Sequence, residues 1–470
     1  MFFASLPAWA QEDAAPAEPV DLELVEPDWL GLTDGRWSPW VEGEDGRLFW
    51  NPMEGFNAWV ASVPEQDRVW PRLSAWAQTH RQILEIEYSK IITLLHAQMD
   101  DKQEAEEKIF ALMSREDVQA AMNELRTILS QPNLGRTLHI FADEPADDEY
   151  RLNPSVLLLD LTHMGLMRKT STLLHHDGLA RLEAGDSDAY LDIQRTALNA
   201  SDIVDEFPMP IAQIMSLYQF RDVLAGAKYA IYNLPESLTD EHLAALDTMI
   251  ASRQPREFRA FGASLDFHDS VRRAMSVPGQ LFEFGQTDFA SLLPVHDSYD
   301  QLPEQVRELL AMHDEVAKYA EKRSRLPLDI GELRCEQLGN KLLGGKQTIR
   351  GVFLSLHTPA YDSASAQARA TEQEAIATRL IIAVQRHRLR HGRLPASVDA
   401  IDDDLLTVRP LDAFSGEQLQ YRLSDEHGFM IYGLGPDGDD DGGLFVPRLS
   451  LATEKKNGDV LLYPMWSLFE

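Results

Sequence analysis

Cysteine is almost missing from this sequence. Among 470 residues only Cys335 carries a thiol, so an internal disulfide and a cysteine-rich zinc site are both excluded. A free cysteine usually behaves as a small hydrophobic residue, and we expect Cys335 to be a buried structural thiol. A nucleophilic role would need histidine and asparagine or aspartate partners beside it in space.

Positive charge is also scarce. The chain has 43 lysines and arginines against 76 aspartates and glutamates, which gives a formal net charge of −33. A surface of this charge repels duplex nucleic acid and anionic membranes, so no nucleic-acid partner is expected. The excess of acid either keeps the protein soluble or recruits divalent cations, and composition leaves both interpretations open.

Long hydrophobic runs are absent. No stretch of 18 or more apolar residues occurs, so no transmembrane span is predicted. Residues 1–10 are apolar and end in Ala8-Trp9-Ala10, which fits the rule for signal-peptide cleavage but lacks a basic region before it. We interpret residues 1–10 as a truncated signal peptide, with a hydrophobic tail as the alternative. Residues 11–28, acidic and rich in proline and alanine, then form a disordered linker. These features predict an exported protein of the periplasm or cell surface.

Common signatures of hydrolases are lacking as well. The sequence contains no Gly-x-Ser-x-Gly and no His-Glu-x-x-His. One predicted helix does contain several candidate ligands, namely His163, His175, His176 and Asp177. At 3.6 residues per turn, His163 and His175 point about 120° apart, so one helix does not bring them together. We therefore predict surface or interhelical histidines there, and no metal site.

Tryptophan, by contrast, is concentrated in one segment. Of the 9 tryptophans in the chain, most lie between Trp29 and Trp76. Clustered tryptophans either stack on sugars or act as core material that fastens an N-terminal segment to a domain. We favour the second interpretation.

Residues 29–325 are predicted to form a helical domain. Apolar residues recur at helical spacing from Ser74 to Met99. Short connections separate the helices, which favours an antiparallel array or bundle. Further helix starts are indicated by capping residues and first-turn prolines: they are Ser114, Asn153-Pro154, Asp186 or Ser187, Pro210, Thr239, Pro255 and Pro303. Residues 326–365 contain several glycines and are interpreted as a connector.

Residues 366–470 are predicted to be a separate α+β domain. A helix from Ala366 to His391 is followed by Gly392, a residue type that commonly ends helices. Alternating apolar residues then predict strands at Gln418–Leu423, Gly428–Gly433 and Val460–Pro464. The predicted fold is therefore mainly α, with a helical array or bundle followed by a small α+β domain.

A dense group of carboxylates follows the second strand. The run Asp437-Gly438-Asp439-Asp440-Asp441-Gly442 matches positions 1, 3, 5 and 6 of an EF-hand loop. The twelfth position is Arg448 instead of glutamate, so the loop is not an EF-hand. Its oxygens still suit a looser Ca²⁺ site, and a solvated acidic turn is the alternative. The candidate metal ligands are Asp437, Asp439, Asp440 and Asp441.

Several motifs around this loop occur in a recognisable order. They are His391-Gly392-Arg393-Leu394-Pro395, Leu411-Asp412-Ala413-Phe414-Ser415-Gly416, Leu419-Gln420-Tyr421-Arg422 and the strand that leads into the aspartates. With the preceding helix they resemble the globular part of the major pseudopilin of type II secretion, over about 100 of the 470 residues. The resemblance implies a helix packed on a small antiparallel sheet, and Ca²⁺ at Asp437, Asp439 and Asp441. The whole chain is similar to large, uncharacterised exported bacterial proteins that carry such a tail.

Together these features predict a non-enzymatic exported protein. It would be a helical binding or structural scaffold with a calcium-stabilised, pseudopilin-like tail and an envelope protein as its partner. The alternative is an envelope hydrolase whose site lies in the helical region and is built from residues distant in sequence. A deep pocket where histidine and carboxylates converge would favour the hydrolase, and a broad apolar groove would favour the binding protein.

Overall fold

The computed structural model of this protein describes residues 22, 24–95, 102–138, 162–253, 257–276, 299–302, 304–325, 334–343, 349–412, 415–434, 439–442 and 459–464. Helices dominate these residues, and two small antiparallel sheets accompany them, so the prediction of a mainly helical protein is confirmed. No helix within these ranges combines the length and the apolar character that crossing a membrane requires. The predicted signal peptide, most of the linker, Asp437 and three predicted helix starts lie outside the described residues; these starts are Asn153-Pro154, Pro255 and Pro303.

The elements follow one another in a simple order, with most helices before the larger sheet. The helices are α1 Trp29–Leu32, α2 Pro52–Ser62, α3 Trp70–Thr79, α4 Tyr88–Leu95, α5 Lys102–Met113, α6 Glu116–Leu129, α7 Thr162–Glu183, α8 Ser187–Val204, α9 Pro210–Asn233, α10 Asp240–Ala251, α11 Ala260–Ser276, α12 Glu304–Ser324, α13 Cys335–Leu342 and α14 Ile349–His391. The strands are β1 Trp40–Glu42, β2 Leu48–Trp50, β3 Gln420–Ser424, β4 Gly428–Gly433 and β5 Val460–Tyr463.

Several helices begin where capping chemistry predicts. The side chain of Asp186 accepts a hydrogen bond from the Ala189 amide at the start of α8. Thr239 and His242 cap each other's backbone amides at the start of α10. Pro210 occupies the first turn of α9, where its missing N–H costs nothing. These three predicted starts are confirmed because they depend on residues close in sequence.

The helix predicted from Ser74 to Met99 is interrupted. A π-helical turn over Ile83–Glu87 separates α3 from α4. Glu87 is buried at the end of this turn, where Lys90 and Arg115 each donate a hydrogen bond to it at 2.9 Å. A π turn inserts a residue into the helical repeat, and the spacing of apolar residues does not reveal such an insertion.

One long helix, α14, begins before the boundary predicted at residue 366. It starts at Ile349 and continues through Gly351 and Pro359 to His391. Residues 349–365, predicted to belong to a connector, are therefore helical. Glycine and proline disfavour helix interiors, but α14 packs against α9, α10, α12 and α13. This burial outweighs the local cost, because most helical stability in proteins comes from tertiary packing.

A continuous cluster of buried apolar side chains extends from the N-terminal helices to the C-terminal sheet. It includes Trp76 of α3, Leu380 of α14 and Ile431 of β4. Each large apolar side chain removed from water contributes about 1.5–3 kcal/mol. Cys335 lies in a smaller cluster with Tyr361, and burial raises the pKa of its thiol to about 12. The predicted buried thiol is thus confirmed.

The C-terminal sheet has three antiparallel strands in the order β3-β4-β5. Ile431 of the central strand pairs with Tyr421 on one side and Tyr463 on the other. The sheet contacts α14 through β5, and the three predicted strands are confirmed with small shifts at their ends. The second sheet, in which Trp40 pairs with Trp50, is a short hairpin that the sequence does not predict.

Buried charges join α9 to α14. Arg221 donates to Glu374 at 2.6 Å, and the Lys228 ammonium lies 3.6 Å from the other carboxylate oxygen. Burial favours a higher pKa for Glu374, but the charges of Lys228 and Arg221 outweigh it and the pKa lies below its ordinary value. If the carboxylate were lost, Lys228 would remain buried without a counter-charge, which is costly.

Glu374→Gln should therefore lower the free energy of unfolding by about 3 kcal/mol, because it removes the negative member of a largely buried group of charges. Denaturant unfolding at neutral pH measures this change. The control is Glu315→Gln on the exposed side of α12, which should shift stability by less than about 0.5 kcal/mol. Equal stability of the two variants would contradict the role given to Glu374.

Candidate functional site

The predicted Ca²⁺ loop is partly described, and its central carboxylate already has partners. Arg422 donates to both oxygens of Asp440, at 2.9 and 3.3 Å. Asp440 also accepts hydrogen bonds from the Tyr432 hydroxyl at 3.2 Å and from the Gly442 amide at 2.9 Å. Asp439 is exposed. The loop is thereby fastened to β3 and β4.

Arg422 changes the electrostatics expected at this loop. Its guanidinium lies 5.2 Å from the centre of the Tyr432 ring and also donates to the Gly442 carbonyl at 3.2 Å. It supplies the positive charge that a Ca²⁺ ion was predicted to bring to Asp440. Arg422 could not be predicted as part of the site from the sequence, because β3 lies well before the loop and only strand pairing brings them together.

Polar side chains of α7 between His163 and Asp177 contact the neighbouring helices, which agrees with the prediction of surface or interhelical histidines. The buried Asp177 of α7 accepts hydrogen bonds from Gln119 and Arg126 of α6, both at 2.7 Å. His175 interacts through its Nδ1 atom with the Asp222 carbonyl of α9 at 2.9 Å. These polar groups therefore serve contacts between helices.

A buried histidine–aspartate pair, not predicted from the sequence, links α11 to α12. His268 Nε2 lies 2.9 Å from Asp314 Oδ2 and 3.1 Å from Oδ1. The neighbouring His313 stacks on Phe267 with ring centres 3.7 Å apart, and its Nε2 lies 2.6 Å from the Tyr361 hydroxyl. The sequence contains four His-Asp dipeptides, and two of them, at 268–269 and 313–314, contribute residues to this pair.

A histidine oriented by a carboxylate is the arrangement of a general base. Here both partners are shielded: His268 is 0% exposed and Asp314 is 6% exposed. Trp29 packs edge-on against the His268 ring with centres 5.1 Å apart. Burial favours a higher pKa for Asp314, but His268 and His313 hold that pKa well below its ordinary value. In this closed form the pair supports the interior and does not face solvent.

The tryptophan-rich segment packs against this pair and is held there by polar and cation–π contacts. Glu26 accepts a hydrogen bond from the Trp29 indole at 3.0 Å and another from the Trp40 indole. The Arg272 guanidinium lies 4.8 Å from the Trp40 ring centre and 4.5 Å from that of Trp50. The prediction that these tryptophans act as core material is confirmed for Trp29, which is buried.

A second histidine cluster lies at the C-terminal end of α14. His387 and His391 are one helical turn apart, with ring centres 4.3 Å apart. The chain turns at Gly392, where φ is 68°, and returns Asp402 to the same place. Asp402 Oδ2 lies 2.9 Å from His391 Nε2, and Asp402 Oδ1 lies 3.8 Å from His387 Nδ1. One ligand atom from each residue lies within 4.8 Å of the other two.

This cluster was missed at the level of sequence, although a signal was present. The histidines have i, i+4 spacing, which places both on one face of a helix. Asp402 follows eleven positions after His391, too far for local spacing to connect them. Of the predicted Ca²⁺ ligands, none contributes to this cluster, which is the group with metal-ligand geometry among the described residues.

A cavity elsewhere in the described residues has no histidine of either cluster in its walls. It has a volume of about 340 Å³ and opens between α3 and α6. Its walls are formed by Arg72, Ala75, Trp76, Thr79, Glu124, Thr127 and Ile128. His80 follows Thr79 in the sequence, and its Nε2 atom lies 3.0 Å from the carboxylate of Glu124.

Asp314→Asn should destabilise the protein by about 3 kcal/mol at pH 7, because it breaks a buried charged contact. The pKa of Asp314 is depressed by folding, so its contribution is present above the unfolded value of about 4 and is lost as pH falls below it. The difference between wild type and variant should therefore shrink from pH 5 towards pH 3. Unfolding measured across this range checks the prediction.

The control for Asp314→Asn is Asp188→Asn, which alters an exposed aspartate that contacts His242 at 3.2 Å. Exposed pairs contribute little, so this variant should stay within about 0.5 kcal/mol of wild type at every pH. A constant Asp314→Asn difference from pH 5 to 3 would contradict the role of its charge.

Comparisons with protein-family models, with curated proteins and with solved structures give no match for this chain. The residues and their geometry are therefore the basis for assigning a function.

Proposed function

We propose that this protein is a non-enzymatic scaffold of the bacterial envelope, in which a helical body presents a pseudopilin-like tail to a partner protein. The observation that carries the proposal is α14, a single helix of 43 residues that packs in the helical body and also contacts β5 of the tail. A tail held in this way has a fixed position relative to the body. That is the property a scaffold needs.

The use of buried charge supports a structural role. Glu87 pairs with Arg115, Asp177 with Arg126, and Glu374 with Arg221, each within 2.9 Å. Each pair joins side chains from different elements. Charged groups arranged in this way hold elements together and do not converge on a shared ligand.

The junction between body and tail supports the proposal that the tail is held in a fixed position. Asp412, in the turn motif that carries this resemblance, accepts hydrogen bonds from the Ser415 and Leu434 amides at 2.9 Å and from Gln373 of α14 at 3.3 Å. Gly433 fits here because a Cβ atom would lie 2.0 Å from an Asp412 oxygen. The motif thus ties one turn, the end of β4 and α14 together.

The scaffold proposal predicts a phenotype for Asp412→Ala. Loss of three hydrogen bonds to one buried carboxylate should cost about 3 kcal/mol and loosen the tail while the helical body stays folded. We expect in-cell cross-linking of the full chain to recover one envelope protein reproducibly, and Asp412→Ala to recover several-fold less of it. Asp399→Asn, which alters an exposed tail residue, is the control. Undiminished recovery by Asp412→Ala would contradict a rigidly presented tail.

The alternative, an envelope hydrolase, rests on the His268–Asp314 pair. It would require the tryptophan segment above His268 to open. A panel of ester, phosphate, glycoside and peptide substrates tests it with wild type and His268→Gln. Turnover that His268→Gln abolishes would favour the hydrolase over the scaffold.

Calcium at the tail remains part of the proposal, with Asp437, Asp439, Asp440 and Asp441 as ligands. Arg422 competes for Asp440, so binding should be weak, with Kd of about 10⁻⁴–10⁻³ M or higher. We expect Arg422→Ala to tighten calcium binding and Asp439→Asn to weaken it in calorimetric titration. No heat and no rise in Tm for wild type and Arg422→Ala would exclude the Ca²⁺ site.

A further inference from the structure

We propose that His387, His391 and Asp402 bind one divalent transition-metal ion of the Zn²⁺ type, which fastens the end of α14 to the segment that follows it. The site is distinct from the aspartate loop and does not rest on the scaffold proposal. It consists of two imidazoles from one helix turn and one carboxylate from beyond Gly392.

The first argument is the state of His387. Its side chain is 91% buried, and its Nδ1 atom has no hydrogen-bond partner among the described residues. A buried, unsatisfied polar atom is costly unless something binds it. The Oδ1 atom of Asp402 lies 3.8 Å from this nitrogen, which is too far for a hydrogen bond. A metal ion between the two would satisfy both.

The second argument is distance. Ligand atoms around a tetrahedral Zn²⁺ lie about 3.4 Å apart, since each bond is about 2.1 Å long. The Oδ1 atom of Asp402 lies 3.2 Å from His391 Nε2 and 3.8 Å from His387 Nδ1, and these distances bracket that value. The three ligand atoms all lie within 4.8 Å of one another, so side-chain rotation can bring them to metal-binding positions. Three protein ligands would leave a fourth position for water.

The chemistry of the donors selects the class of ion. Imidazole nitrogens suit Zn²⁺, Cu²⁺, Ni²⁺ and Fe²⁺, whereas Ca²⁺ and Mg²⁺ prefer sets made of oxygen. A ligating histidine must be neutral. Burial and the nearby His391 hold the pKa of His387 below its ordinary value, which favours the neutral form that a metal ion needs.

Neighbouring charges are balanced around the cluster. Arg390 lies 3.8 Å from Asp402 but contacts Asp404 at 2.7 Å and Asp240 at 3.6 Å. Arg393 also lowers the pKa of His387. The C-terminal end of α14 adds a partial negative charge that favours a cation. The positive groups nearby are therefore matched by carboxylates and by the helix dipole.

The test uses the full chain after removal of metal by a chelator. Co²⁺ is titrated at pH 7.5 while its visible d–d absorption is followed, and Zn²⁺ is then used to displace it. We expect one Co²⁺ site that Zn²⁺ empties and that millimolar Ca²⁺ does not. His391→Ala and Asp402→Asn should each weaken Zn²⁺ binding by about 100-fold or more, since loss of a mere supporting partner already costs 10–100-fold.

Two control variants remove matched groups outside the ligand set. Asp399→Asn removes an exposed carboxylate from the same segment as Asp402, and His80→Ala removes a histidine–carboxylate pair elsewhere. Both should bind Zn²⁺ as wild type does. Affinity in wild type should fall as the pH is lowered, because protons compete with the metal for the imidazole nitrogens. Absence of a saturable Co²⁺ spectrum, or unchanged affinity in His391→Ala and Asp402→Asn, would overturn the proposal; circular dichroism establishes that each variant is folded.

Discussion

Burial of α14 is the constraint on which the rest of the structure depends. The helix contacts α9, α10, α12 and α13 and carries Leu380 and Val384 into the core that reaches the C-terminal sheet. Ion pairs also join α14 to one of these helices. Arg379 contacts Asp247 at 2.8 Å and Arg386 contacts Asp240 at 2.6 Å, and both aspartates are on α10. Because this one helix packs against all of these neighbours, a change in its position would disturb all of these contacts at once.

Charge is the second constraint, and it follows from composition. The chain has 76 acidic and 43 basic side chains, yet several of the bases are used inside, against Asp177, Glu374 and the Glu26 cluster. A buried carboxylate without a cation would take up a proton or destabilise the fold. Because each of these cations is matched by a carboxylate inside the protein, the net excess of acidic charge remains for the surface.

Much of the fold could be predicted from the sequence where the signal is local. The starts at Asp186 and Thr239 depend on capping side chains, and strand β4 depends on alternation within six residues. Features that depend on distant partners could not be predicted. Tertiary packing extends α14 through Gly351 and Pro359, and a fold-dependent return of the chain brings Asp402 to His387. The same reason applies to the predicted Ca²⁺ site. The run of aspartates could be recognised in the sequence, but its distant partner Arg422 could not.

The length of α14 has a geometric consequence. At 1.5 Å per residue, 43 residues extend over about 65 Å. The length of the helix therefore fixes the distance between the residues that contact its first turn and the residues that contact the tail. A shorter or longer version would move the tail by 1.5 Å and rotate it by about 100° for each residue changed. Insertions and deletions in this helix should therefore be far less tolerable than changes of equal size in the surrounding loops.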